Sequence, residues 1–201
     1  MTRHLYITRH GEAAPDGTGL TANGRRQAAL LGERLKDVPF SAVHHGPLPR
    51  AAQTARLIGE SLPGVPLRES EIAGDYVPYV PVEGELPAEI AAQYKRFFEP
   101  VTPEEREEGA RLASQALDLF TGPANEPRHE LVVTHNFLVG WLVRAAMDAP
   151  PWRWLGVNQA NAALTVIRYA PGRPSSVLVF NDMSHLPREL RWTGFPPEQH
   201  V

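Results

Sequence analysis

The chain has 201 residues, 42% apolar and 21% charged, enough for one well-buried core and short for two. A formal net charge of −3 gives no basic field for nucleic acid or an anionic membrane, so an anion site must be built locally from a few Arg and His residues. Cysteine is absent, excluding disulfides, thiolate metal sites and cysteine nucleophiles; with no signal-peptide core and no apolar run of roughly 18 residues, the default expectation is a soluble cytoplasmic enzyme.

Leu5-Tyr6-Ile7-Thr8 is a short β-favouring run ending at Arg9-His10-Gly11, which predicts a buried strand and a turn. Thr21 offers an N-cap, and Gly24 to Lys36 carries Ala28, Leu31 and Leu35 at helical spacing. Residues 40–44 predict a second strand. Pro47 opens a second helix, with Ala51, Thr54, Ala55 and Ile58 on its apolar side and Pro63-Gly64 ending it. From Glu71 to Pro87 the chain is rich in Pro, Gly, Tyr and Val, with little periodicity.

Two helices are predicted over 87–98 and 102–120. Glu104, Glu105, Glu107 and Glu108 crowd the front of the second, where the helix dipole favours negative charge, and a solvated face explains them. Glu130-Leu131-Val132-Val133-Thr134 is the most hydrophobic strand candidate and stops at His135-Asn136, before a helix over 137–147. Strands over 162–169 and 176–180 flank the turn 170–174. This alternation predicts an α/β fold of three αβα layers, its central sheet mostly parallel with one antiparallel edge strand. A single domain over 1–201 is expected.

In open α/β sheets, ligands bind beyond the carboxyl ends of the strands. One predicted strand delivers Arg9 and His10 there. Another delivers His44 and His45, with Arg50 in the next helical turn, and a third delivers His135 ahead of a helix whose free N–H groups favour anions. Two Arg and at least two His converging from distant positions suit a dianionic phosphate, because guanidinium forks match its oxygens. Each residue alone has a plainer reading, a capping histidine or a surface arginine. Only the joint pattern speaks for a phosphate site.

Thr8-Arg9-His10-Gly11-Glu12 resembles the signature of the histidine phosphatase superfamily, also called phosphoglycerate-mutase-like. Leu20-Thr21, Gly24 and Gln27-Ala28 match the helix that follows, and Pro47 to Ala55 is similar to the second block. Leu131 to His135 resembles the block with the second catalytic histidine. The likeness covers roughly residues 3 to 145. It implies a two-step transfer in which a His10 ring nitrogen attacks phosphorus and water later hydrolyses the phosphohistidine. Arg9, Arg50 and His135 would hold the equatorial oxygens as catalytic and phosphate-binding residues, with Gly11 and Asn136 as further phosphate contacts. It implies no metal and no other cofactor.

A leaving alkoxide needs a proton. The family places the acid after a short strand following the second helix, in a Leu-x-Glu context. Leu67-Arg68-Glu69 fits, which makes Glu69 the expected donor and Glu71 its competitor, with Glu12 orienting the loop. His44-His45-Gly46 stands where the family usually has Ser residues, so His45 is a further candidate contact, as is Asn161 before a strand. Ala13-Ala14-Pro15-Asp16-Gly17 departs from the segment that true mutases carry after the signature.

A looser likeness, in Leu67-Arg68-Glu69, Trp154-Leu155, Asn158 to Asn161, Leu164 to Ile167 and Thr193-Gly194-Phe195, is to the mutase-like protein phosphatases of mitochondria. Phosphomonoester hydrolysis is thus the expected function. A mutase and a non-catalytic phosphate-binding scaffold are the alternatives, and Arg25, Arg26 and Lys36 read as a solvated helix face rather than a second anion site. Expected partners are a phosphorylated small molecule or phosphoprotein, inorganic phosphate as product and a second copy in a homodimer, with neither nucleic acid nor membrane. A specificity insertion is expected at about 71–100, where Tyr76, Tyr79, Phe97 and Phe98 either line a pocket or close the core.

Overall fold

A computed structural model describes residues 1–201. Its elements are β1 (Arg3–Arg9), α1 (Ala22–Leu35), β2 (Ala42–His45), α2 (Pro49–Gly59), β3 (Leu67–Glu69), α3 (Ala88–Phe98), α4 (Pro103–Phe120), β4 (Arg128–Thr134), α5 (Asn136–Ala146), β5 (Leu164–Tyr169) and β6 (Ser176–Asp182). The sheet runs β3-β2-β4-β1-β5-β6. β3, β2, β4 and β1 are mutually parallel, β5 is antiparallel to β1, and β6 is antiparallel to β5. The fold class is the expected one, but the antiparallel strand lies one position in from the edge and β6 forms that edge.

The sheet alternates its burial between two faces. Leu5, Ile7, Val132 and Ile167 pack against Ala113, Ala116 and Phe120 of α4 and Leu138, Val139 and Leu142 of α5. On the other face Val43, Leu131, Val133, Leu164 and Val166 meet Leu31 and Leu35 of α1 and Ala55 and Ile58 of α2. Apolar burial at about 25 cal/mol per Å² makes these two layers the main source of stability.

Two predicted helix starts come from local chemistry. The Thr21 hydroxyl accepts from the Gly24 N–H at 3.0 Å, and Thr102 with Glu105 forms a reciprocal capping box at the head of α4. Residues 71–98 contribute a short 3-10 turn, an irregular segment and α3. Their aromatics close the core rather than line a pocket. Tyr76 and Tyr79 pack on it, Tyr79 accepts from the Trp154 indole through its carbonyl at 2.9 Å, and Phe98 is buried, while Phe97 is exposed. Trp154 is likewise a core residue. No helix is long and apolar enough to cross a membrane.

Strand order positions the site. β1 continues through α1 toward β2 on one side, whereas β4 continues through α5 toward β5 on the other, with α1 and α5 on opposite faces. The crevice where the two connections diverge opens above β1 and β4, the usual ligand position in such sheets. His10 follows β1 and His135 follows β4.

Candidate active site

The β1 chain end is anchored to its neighbours. The His10 N–H donates to the Thr134 carbonyl at 2.9 Å, continuing the β1–β4 ladder. The His10 carbonyl accepts from Asn161 Nδ2 at 2.9 Å and from the Ala162 N–H at 3.3 Å. His10 is only 7% exposed. Its Nδ1 lies 2.7 Å from the Gly11 carbonyl. A carbonyl can only accept, so the ring proton sits on Nδ1 and the lone pair on Nε2.

The next residues approach α1 too closely for side chains. A Cβ on Gly11 would lie 2.5 Å from the Gly24 carbonyl oxygen, and one on Gly24 would lie 2.1 Å from that of Glu12. The two glycines therefore let α1 seat against the loop. The Gly11 N–H donates to Thr54 Oγ1 at 3.0 Å, and that hydroxyl donates onward to the Arg50 carbonyl at 2.7 Å. Thr54 thus ties the loop after β1 to the first turn of α2, where Arg50 sits. Gly11 was expected to contact phosphate directly. Instead both its polar backbone groups are engaged within the protein, because the loop closes on Thr54 and on the His10 ring.

His135 caps α5 and is 2% exposed, with neither ring nitrogen hydrogen-bonded. The two imidazole centroids are 5.0 Å apart at 56°. Arg9 reaches over the same crevice, its Nη1 donating to the carbonyls of Gln159 at 3.0 Å and Gly194 at 3.2 Å. Arg50 Nη2 donates to Asp75 Oδ2 at 2.6 Å. That oxygen is also 3.5 Å from His135 Nδ1, too long for a hydrogen bond.

Burial pushes the His10 imidazole down to about 3, reinforced by His135, Arg9 and Arg50 and opposed by the Gly11 carbonyl. Burial likewise pushes His135 down to about 3, helped by Arg50 and then Arg9. Both rings are therefore neutral at physiological pH, and the positive charge of the crevice is that of the two guanidinium groups. Burial lowers Arg9 somewhat, with Asp75 acting in the opposite sense.

The remaining expected residues divide by position. Asn161 is buried and holds the His10 carbonyl through its Nδ2, with its Oδ1 facing Gly194 beside the Arg9 tip. The Asn136 side chain is engaged by the loop before β5, donating to Asn158 Oδ1 at 2.7 Å and accepting from the Gln159 N–H at 2.9 Å. His45 is buried with Nδ1 2.9 Å from the Gly46 carbonyl, repeating the His10–Gly11 arrangement at the end of β2. His44 points away from the crevice, packed edge-on against Phe120 and 3.5 Å from Glu130.

Glu12 accepts from the Thr21 hydroxyl at 2.7 Å, as a loop-orienting residue would. Glu69 ends β3 opposite His45, exposed and without an ion pair, and Glu71 is exposed in the next turn. Sequence reasoning misses the roles of Asp75, Thr54, Gln159 and Gly194 around the crevice. The last three lie within recognisable blocks but carry no signal of what they touch, and no spacing rule points to Asp75.

A family model described as histidine phosphatase superfamily (branch 1) matches residues 5–182. Curated relatives include two mitochondrial serine/threonine-protein phosphatases named Pgam5. The one from Caenorhabditis briggsae is 30% identical over 201 residues, covering 96% of this chain and 68% of its own length. The one from Caenorhabditis elegans is 32% identical over 194 residues, covering 92% and 65%. The chain thus spans about two thirds of the length of these relatives.

Among solved structures, Bacillus stearothermophilus YhfR aligns with a TM-score of 0.65 at 25% identity, covering 91% of this chain and 98% of that one. A phosphoserine phosphatase from Entamoeba histolytica aligns with a TM-score of 0.64 at 20% identity, covering 92% and 100%, a likeness of fold alone. The cytoplasmic location expected above is corrected by these matches, since the curated relatives are named as mitochondrial proteins. Cysteine content and apolar run length do not encode a compartment, which is why composition misled.

Proposed function

This chain belongs to the histidine phosphatase superfamily (branch 1) and is a phosphatase, and we propose that it hydrolyses phosphomonoesters through a phosphohistidine on His10, without a metal. The observation that carries this reading is the convergence of His10 and His135, 5.0 Å apart, with Arg9 and Arg50 at one edge of the sheet. His10 Nε2 would attack phosphorus in line, forming the N–P bond as the P–O bond to the leaving group breaks. Arg9, Arg50 and His135 would hold the equatorial oxygens, meeting charge with fixed cations and a neutral imidazole. Water would then cleave the N–P bond, releasing phosphate and restoring His10.

Glu69 remains the proposed proton donor to the leaving oxygen. It ends a parallel strand at the same sheet edge, and its carboxylate is free of ion pairs. Relatives named as serine/threonine-protein phosphatases support phosphoserine or phosphothreonine in a protein as the substrate class, with residues 71–100 as the segment that selects it. A homodimer is compatible with this reading.

The test is hydrolysis of p-nitrophenyl phosphate in EDTA by the wild-type chain and by His10→Ala, with rapid-quench trapping of radiolabelled phosphoenzyme. Label on His10 and a loss of about a thousandfold or more in the variant are expected. Turnover that needs added metal, or survives in His10→Ala, would sink the mechanism. A phosphoserine peptide against a set of phosphorylated metabolites then tests the substrate class.

A further inference from the structure

One carboxylate in the crevice takes no part in these steps. Asp75 Oδ2 lies 2.6 Å from Arg50 Nη2 and 3.5 Å from His135 Nδ1. On the mechanism above, these are two of the groups that receive phosphoryl oxygens. Asp75 therefore sets an anionic oxygen where an oxygen of the substrate would go.

The local chain holds it there. The Ala73 carbonyl accepts from Thr134 Oγ1 at 2.8 Å, just before the β4 chain end. A Cβ on Gly46 would lie 2.6 Å from that same carbonyl, so the loop after β2 abuts it as well. The Gly74 N–H donates to the Glu71 carbonyl at 2.8 Å, and the Tyr76 hydroxyl donates to the Ile72 carbonyl at 2.9 Å. The chain just before Asp75 is thus pinned to the sheet edge and the turn that carries it is closed locally, while its side chain is 34% exposed and has room to swing into solvent.

We propose that Asp75 is an internal competitor for the phosphate clamp, occupying Arg50 beside His135 in the free protein and displaced when a phosphate group binds. Two anions cannot share one guanidinium fork without repulsion at contact distance. Apparent phosphate affinity is therefore the intrinsic affinity reduced by the fraction of molecules in which Arg50 is free. The same carboxylate, returning to Arg50, would speed the departure of product phosphate. This rests on the proposal that Arg50 and His135 hold the phosphate.

Calorimetric titration with inorganic phosphate tests it on the wild-type chain, Asp75→Asn, Asp75→Glu and Glu107→Gln. Asp75→Asn should bind about three- to tenfold more tightly than wild type, with Asp75→Glu closer to wild type. Glu107→Gln removes a charge from the exposed face of α4 and should stay within about twofold, separating contact from general field.

Equal or weaker binding by Asp75→Asn would overturn the inference, the weaker case meaning that Asp75 orients Arg50 for phosphate. A kcat loss in Asp75→Asn that is steeper for alkyl phosphates than for p-nitrophenyl phosphate, without tighter phosphate binding, would mark Asp75 as the proton donor and overturn it too. Absence of phosphate binding by wild type would remove this inference and the proposed clamp together, whereas binding unaffected by Asp75 removes only the former.

Discussion

The Gly194 carbonyl accepts from Arg9 Nη1 at 3.2 Å, joining residues 185 positions apart in the chain. Gly194 has φ near +85°, and a Cβ there would lie 2.6 Å from Arg9 Nη1 and 2.5 Å from Asn161 Oδ1. The C-terminal segment thus helps aim one of the two guanidinium groups, and it does so with a glycine.

Gly194→Ala should therefore displace the Arg9 tip as well as strain its own backbone. The expected result is a rise of about tenfold in KM for p-nitrophenyl phosphate, with kcat changing less, and a stability loss of about 1 kcal/mol or more from the strained backbone. Steady-state kinetics beside a melting curve check it. Unchanged KM would show that Arg9 is oriented by the Gln159 carbonyl alone.

Thr54 accepts from the Gly11 N–H and donates to the Arg50 carbonyl while fully buried. Thr54→Ala leaves the Gly11 donor buried without a partner, at a cost of about 1–3 kcal/mol. Activity should fall with stability, since the same hydroxyl links the His10 loop to the Arg50 helix. Thr54→Ser, which keeps the hydroxyl, should restore most of both in denaturant melts and assays.

At Gly24 the contact is backbone against backbone, since a Cβ there would stand 2.1 Å from the Glu12 carbonyl oxygen. No flexible side-chain tip can yield there, so Gly24→Ala must push α1 off the loop. The expected loss is about 2–4 kcal/mol, read in urea unfolding, together with a steep loss of activity. A variant as stable as wild type would show that α1 can shift without harm.

The two crevice histidines also make stability depend on pH. Each is held down to about 3 in the folded chain, against 6.5 for an ordinary histidine. Between those values the unfolded chain binds more protons, so stability is fully present above 6.5 and falls as pH drops toward about 3. Burial also pushes His185 down to about 4, which adds to the same trend. Denaturant melts between about pH 7.5 and 5 should show this decline, and a His10→Asn/His135→Asn double variant should flatten it. An equal slope in the double variant would place the protonation elsewhere.

Much of the crevice was legible because strand ends are legible. Leu5 to Thr8 and Leu131 to Thr134 are apolar runs that stop at His10 and His135, and Pro47 announces the helix that carries Arg50, although α2 itself starts at Pro49 with Arg50 in its first turn. The position of β5 was less so. Its run reads as a strand, but nothing local says that β6 will lie outside it. Asn136 and Gly11 resemble ligands by sequence neighbourhood, yet each is engaged by a partner brought in from elsewhere, Asn158 and Thr54. Asp75 follows a turn of no recognisable pattern, and its approach to Arg50 exists only once β2 and β4 pair.

The sequence by itself determined which side chains stand at the carboxyl ends of the strands, because hydrophobic runs, caps and turn residues are local signals. Tertiary structure decided what each of them meets. The proton on His10 Nδ1 follows from a neighbouring carbonyl that the loop must first orient. The free nitrogens of His135, the aim of Arg9 and the occupation of Arg50 by Asp75 follow from segments far apart in the chain. Hydrogen bonds and ion contacts are short-ranged and directional, so they are settled only when the packed sheet and helices bring donor and acceptor within reach.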